Sequence, residues 1–132
     1  MPNIFCLLNH ELTPRQKEEL FSSFGADSVT YPPDVIALMW SGIPTDRELK
    51  KALFKPLIDW LEEARAGDVL VLQGEFSATF ALADYALKKG LIPLCAVTKR
   101  VSQEVREGEK VHKNYVFEHI CFRRYRYYKD LI

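Results

Sequence analysis

Two short apolar runs, NIFCLL at positions 3–8 and VLVL at 69–72, constrain the fold of this chain more than any other feature. Each is nearly continuous rather than alternating, the mark of a strand covered on both faces. Each also leads through a polar turn into a helix. After the first run, Thr13-Pro14-Arg15-Gln16 forms a capping box with proline at the first helical position; Leu20, Phe21 and Phe24 supply the apolar face, and Gly25 closes it. After the second, Gly74 permits the turn, Ser77 reads as the N-cap and Gly90 ends the helix. A third buried strand, LIPLCAVTKR at 91–100, ends in polar residues. Strands alternating with helices need crossover connections. The pattern therefore predicts an α/β fold: a single Rossmann-like domain over residues 1–132, with a mainly parallel sheet and helices on both faces.

The remaining segments fit that frame. Residues 28–31 make a second strand stopped by Pro32-Pro33, and DVIALMWSGIP contains a short helical turn. Thr45-Asp46-Arg47-Glu48 reads as another capping box, opening a helix with Leu49, Leu53, Leu57, Trp60, Leu61 and Ala64 on one stripe and Gly67 at its end. Pro56 inside that stripe predicts a kink or two segments. A charged link at 101–110 precedes a final strand rich in aromatic and β-branched residues, at a sheet edge.

With 132 residues, 48% of them hydrophobic and 27% charged, the chain has the make-up of one packed domain. The formal net charge is zero, which argues against duplex nucleic acid or an anionic membrane as partner. That zero hides an asymmetry: residues 1–98 carry 9 Lys/Arg against 13 Asp/Glu, and residues 99–132 carry 9 against 5. The basic tail suits a small anionic ligand, although Arg123, Arg124, Arg126 and Lys129 also fit a solvated face. Cys6, Cys95 and Cys121 lie far apart within apolar runs, so neither a disulfide frame nor a metal site is expected. No cofactor is implied. Without a leader-like start or a long apolar stretch, the sequence predicts a cytoplasmic protein.

Parallel sheets collect ligands at the carboxyl ends of their strands. Three polar clusters fall there: Asn9-His10, Gln73-Gly74-Glu75-Phe76-Ser77, and Thr98-Lys99-Arg100. Gly74 allows backbone N–H groups to approach a phosphate, and the helix starting near Ser77 offers its positive end, although an ordinary strand-to-helix turn explains both equally well. Glu75 repels phosphate but can accept from a ribose hydroxyl or an adenine amino group. Lys99 and Arg100 bring positive charge, with Arg suited to forked phosphate contact. His10 has the side chain whose ordinary titration range suits proton transfer near neutrality; its bland alternative is a bond to loop backbone. His112 and His119 are read as structural. Only Glu75 is placed to serve a metal, so phosphodiester chemistry here must be metal-free, on a substrate that carries its own nucleophile such as the 2′-hydroxyl of RNA.

The stretches LLNHELTPRQKEEL, VLVLQGEFSATFALADYALKKG and VFEHICFRRY together resemble a small stand-alone family of CRISPR-associated Rossmann-fold proteins of type III systems, related to the CARF sensor domains. The resemblance implies a homodimer that binds a cyclic oligoadenylate across its twofold axis. It further implies a ring nuclease, with cyclic tetra-adenylate the first expected substrate. By position, Asn9-His10 and Lys99 match the family's residues at the scissile ribose and phosphate. His10 is then expected to transfer a proton and Lys99 to stabilise phosphorane charge, while Asn9, Gln73, Gly74, Glu75, Phe76, Ser77, Thr98 and Arg100 hold the ring. The single glycine of QGEFS departs from the glycine-rich ligand loop of many CARF sensors. Two rivals stand beside this expectation: a protein that sequesters the messenger without cutting it, and an interaction domain whose rim is merely polar.

Overall fold

The computed structural model describes residues 2–132. Five strands, β1 (Asn3–Leu7), β2 (Ser28–Thr30), β3 (Val69–Leu72), β4 (Ile92–Glu107) and β5 (Lys110–Arg124), form one sheet in the order β2-β1-β3-β4-β5. The first four run parallel and β5 pairs antiparallel with β4 at the edge. Four helices accompany them: α1 (Pro14–Ser23), α2 (Asp34–Ser41), α3 (Lys51–Leu61) and α4 (Phe76–Lys89). Among the described residues no helix is long and apolar enough to cross a membrane.

The side-chain alternation of the strands divides the core into two layers. Phe5, Leu7, Leu70 and Leu72 pack against Trp40, Leu57, Leu61 and Leu82 from α2, α3 and α4. Ile4, Cys6, Val69, Val71 and Leu94 face the other way, onto Leu12, Leu20 and Phe122. The handedness of crossovers explains this division. The step from β1 to β2 runs one way along the sheet, and the steps from β2 to β3 and β3 to β4 run the other. Right-handed connections therefore put α1 on one face and the later helices on the opposite one.

Local sequence sets the helix ends. Thr13 Oγ1 accepts from the Gln16 amide at 3.2 Å, and Gln16 Oε1 accepts from the Thr13 amide at 3.0 Å, so the first capping box forms as expected. The second does not. Residues 45–47 are bends, and α3 begins only at Lys51, without a side-chain cap. Pro56 lies at the midpoint of one continuous helical segment rather than between two, so α3 forgoes one backbone hydrogen bond at that turn. That helix ends at Leu61, ahead of Gly67.

The largest departure from expectation is at 101–110. In place of a link, β4 continues to Glu107, turns through Gly108-Glu109, and returns as β5. Gly108 has φ of +61°, the left-handed value that a two-residue hairpin loop needs and that glycine adopts freely.

Candidate functional site

The strand order changes direction between β1 and β3: one neighbour leads to β2 and the other to β4. Such a switch point opens a crevice beyond the carboxyl ends of the two strands, the usual ligand position in open parallel sheets. Leu7 and Leu72, paired in register, are the last residues of β1 and β3, so Asn9-His10 and Gln73-Gly74 flank this point. Gln73 ties the rim together. Its amide donates to the Leu7 carbonyl at 3.1 Å, and its side-chain oxygen accepts from the Ala96 amide of β4 at 3.0 Å. Three adjacent strands thus meet at one glutamine.

Asn9 and His10 are exposed on the loop after β1. His10 Nδ1 lies 2.7 Å from the Glu11 carbonyl oxygen, the bland bond that its loop position allows, while Nε2 has no partner among the described residues. Thr98, Lys99 and Arg100 belong to the same end but not to a loop. They lie within β4, just past an irregularity between Val97 and Thr98, and all three are exposed. Lys99 stands opposite Glu118 across the ladder, and the Arg100 guanidinium lies 3.7 Å above the Tyr115 ring. Two strand spacings separate β1 from β4, roughly 10 Å, which a nucleotide can span.

The QGEFS turn works differently from its expected role. Ser77 is not the N-cap of α4; Glu75 is. Its carboxylate accepts from the Ser77 amide at 3.1 Å and the Ala78 amide at 2.8 Å, and the Ser77 hydroxyl donates to it as well. The hydroxyl bond and then the two amides hold the Glu75 carboxyl below its ordinary titration range. A carboxylate therefore already fills the positive end of α4, which removes the expected phosphate position there. Gly74 also has a different reason. A Cβ at this position would stand 2.7 Å from Cε2 and Nε1 of the Trp40 indole, whose N–H donates to the Gln73 carbonyl at 2.9 Å. The glycine admits a buried tryptophan, not a phosphate. Phe76, the first residue of α4, projects its ring almost wholly into solvent at 92% exposure.

Several residues near the rim carry no recognisable sequence signal. Tyr125 donates to the Leu72 carbonyl at 2.6 Å, and burial, reinforced by Cys95, pushes its phenol up to about 12. Glu19 of α1 takes His119 Nε2 on one oxygen and the Phe122 amide on the other, both at 2.7 Å. His119 is accordingly structural, as its sequence position suggested. Burial likewise pushes the Cys6 thiol up to about 12, against a smaller opposing effect of Lys17, leaving an inert core residue. Among the described residues no three His, Cys, Asp or Glu side chains gather as a metal site.

Larger concavities lie elsewhere: a groove of about 910 Å³ between α3 and α4, lined by Phe54, Ile58, Phe80 and Tyr85, and one of about 600 Å³ between α4 and residues 125–128. Neither holds Asn9, His10 or Lys99. The rim is open to solvent at Asn9, His10, Thr98, Lys99 and Arg100, all of them exposed.

The family model described as the Uncharacterized protein MJ1673 family matches residues 2–123, a span that includes every rim residue and the β4–β5 hairpin up to Arg123. A relative from Methanocaldococcus jannaschii, "Uncharacterized protein MJ1673", is 33% identical over 129 residues, covering 97% of this chain and 100% of the relative. No solved structure matches the chain. With nearly its full length matched by both the family model and this relative, the chain belongs to the MJ1673 family.

Proposed function

We propose that this chain is a CARF-related ring nuclease: it binds a cyclic oligoadenylate, cyclic tetra-adenylate first, and opens it without a metal, ending type III CRISPR signalling. The observation that carries the reading is the convergence of Asn9-His10, Gln73 and Thr98-Lys99-Arg100 on one rim, at the switch point of the parallel sheet. A ribose 2′-oxygen gives up its proton and bonds to the adjacent phosphorus; the bond from phosphorus to the 5′-oxygen breaks, and that oxygen takes a proton. The product ends in a 2′,3′-cyclic phosphate. His10, with Nε2 free, serves the proton transfers, and Lys99 the charge on the phosphorane. Asn9, Gln73, Thr98 and Arg100 hold the ring, with Phe76 available to stack on a base. Glu75 acts through the cap it gives α4, and Gly74 and Ser77 through the shape of the same turn. Two copies related by a twofold axis suit a ring of even-fold symmetry.

A second reading is binding without cleavage, favoured by the bond from the His10 ring to the Glu11 carbonyl, which occupies one of its two nitrogens. Incubation of the protein with an excess of each cyclic oligoadenylate, with and without chelator, separates the two. Conversion of the excess to products with 2′,3′-cyclic phosphate ends, unchanged by chelator, supports the nuclease. Saturation at stoichiometric ligand supports the sequestering protein, and the absence of any binding overturns both.

A further inference from the structure

Beyond Val97 the β4–β5 hairpin leaves the body of the molecule. Every residue from 102 to 118 is exposed, so neither face of this ribbon touches a helix or another strand. About ten residues of each strand project, roughly 30 Å at the usual rise. A two-stranded ribbon of this kind is marginal in water. Lys99 and Glu118, Glu104 and Lys113, and Glu107 and Lys110 are opposite-charge register partners across the ladder, and Arg100 lies over the Tyr115 ring. The base of the ribbon is gripped by Glu19 through His119 and Phe122.

A solvent-facing arm needs only polar side chains, yet this one is apolar on both sides. Tyr115 and Phe117 stand exposed on one face, Val105 and Val116 on the other. A second unburied apolar set, Phe76 with Val35 and Leu38, lies at the carboxyl end of the sheet. These residues share the end from which the arm rises: α2 follows β2, its Trp40 meets Gln73, and Gln73 binds the foot of the arm at Ala96. Charge narrows the partner. Residues 99–118 carry five Lys/Arg against four Asp/Glu, a balance that offers little to a polyanion. The chain's own body, residues 1–98, carries 9 Lys/Arg against 13 Asp/Glu, an acidic balance opposite in sign to the arm.

We infer that the β4–β5 hairpin is a dimerisation arm that closes over the open rim of a second copy of this chain. A twofold axis beside the rim lets each arm cover the other copy's Phe76, Val35 and Leu38, so both apolar sets are buried in one self-complementary contact. The rim that is exposed in a single chain is then covered. The inference rests on the arm and the rim alone and does not depend on the proposed ligand.

Light scattering across a concentration series, without ligand, tests it. The full chain is expected to be a dimer. Tyr115→Ser with Phe117→Ser on the arm, and separately Phe76→Ser on the rim, are each expected to raise the dimer dissociation constant by about 30-fold or more, the scale of an interface anchor. These side chains are exposed, so unchanged circular dichroism is expected to confirm folding. Hydrogen exchange gives an independent measure: amides of 101–118 should gain protection as concentration rises, while those of Leu70–Leu72 stay constant. A chain that is monomeric throughout overturns the inference, as does a dimer whose arm amides exchange freely or whose dissociation constant ignores the substitutions. A dimer that behaves as expected but leaves cyclic oligoadenylates uncut sinks the proposed function and leaves the arm intact.

Discussion

The two halves of β4 face opposite conditions along one continuous strand. Leu94 is fully buried between β3 and β5, whereas everything from Ser102 onward is wet. The sequence changes accordingly, from the near-continuous IPLCAV pattern of a covered strand to the charge-rich VSQEVRE of an uncovered one. The change falls at the irregularity between Val97 and Thr98, where one extra residue increases local twist and re-aims the ribbon. In the body, stability comes from burial; in the arm it comes from the ladder and the contact of Arg100 with Tyr115. The two regions are therefore expected to respond differently to the same kind of substitution.

The sharpest contrast is in stability. Leu72→Ala, at a site with no exposure, is expected to cost about 2–5 kcal/mol from lost burial and the cavity left behind. Val116→Ala, on the arm, is expected to stay within about 0.5 kcal/mol. Urea unfolding of both variants, at concentrations where only one chain is present, checks the difference. Equal losses would mean that the arm packs on the body in solution.

Activity divides along the same line. His10 stands on the body's rim and Lys99 at the foot of the arm. His10→Ala is expected to slow cleavage about 100-fold or more with little change in ligand affinity, because it acts on the proton in flight. Lys99→Ala is expected to weaken both, since a fixed charge meets phosphate before and during the reaction. Single-turnover kinetics beside binding isotherms distinguish them; a His10→Ala protein that cuts at the wild-type rate returns this residue to loop chemistry.

The boundary between the two regions can be loosened by itself. Glu19→Ala removes the acceptor for the Phe122 amide and for His119, at an expected cost of about 1–3 kcal/mol for buried donors left unpaired. The accompanying loss of hydrogen-exchange protection should centre on 119–122. Uniform loss across the sheet would show that the clamp supports the whole core rather than the foot of the arm.

The sequence made the body legible where local and tertiary demands agree. IFCLL, VLVL, the Thr13 box and Gly90 each state an element that the fold keeps. The arm was hidden because its apolar residues are divided between both faces of the ribbon, so its strands show no simple alternation and residues 101–110 look like a link. The usable signal was the glycine of EGEK between two runs containing β-branched residues. Glu75 was hidden for another reason. Capping preferences point to Ser77, yet a glutamate reaching over its own following amides does the same work two residues earlier. The meaning of Gly74 lies in Trp40, 34 positions away, and no local pattern states it. At Thr45-Asp46-Arg47-Glu48 the box sequence is present without a helix: residues 45–47 bend, and α3 starts only at Lys51.

Glu75 gives the smallest effect and the finest test of how the rim is built. Its carboxyl is held below the ordinary range, first by the Ser77 hydroxyl and then by the Ala78 and Ser77 amides, so the folded state binds its proton more weakly than the unfolded chain does. By linkage, the stabilisation is fully present above the ordinary carboxylate value, roughly pH 4.3, and disappears as pH falls through the lower folded value. Glu75→Ala should therefore lower Tm by a few degrees at neutral pH, and the gap from wild type should narrow only as the solution becomes more acidic than about pH 4. Exposure of the carboxylate to solvent keeps the effect small, and added salt should shrink it further. The same variant opens the amino end of α4 to other anions. If inorganic phosphate then stabilises Glu75→Ala more than wild type, the turn is an anion site that its own glutamate occupies; equal stabilisation would mean that the carboxylate is a cap and nothing more.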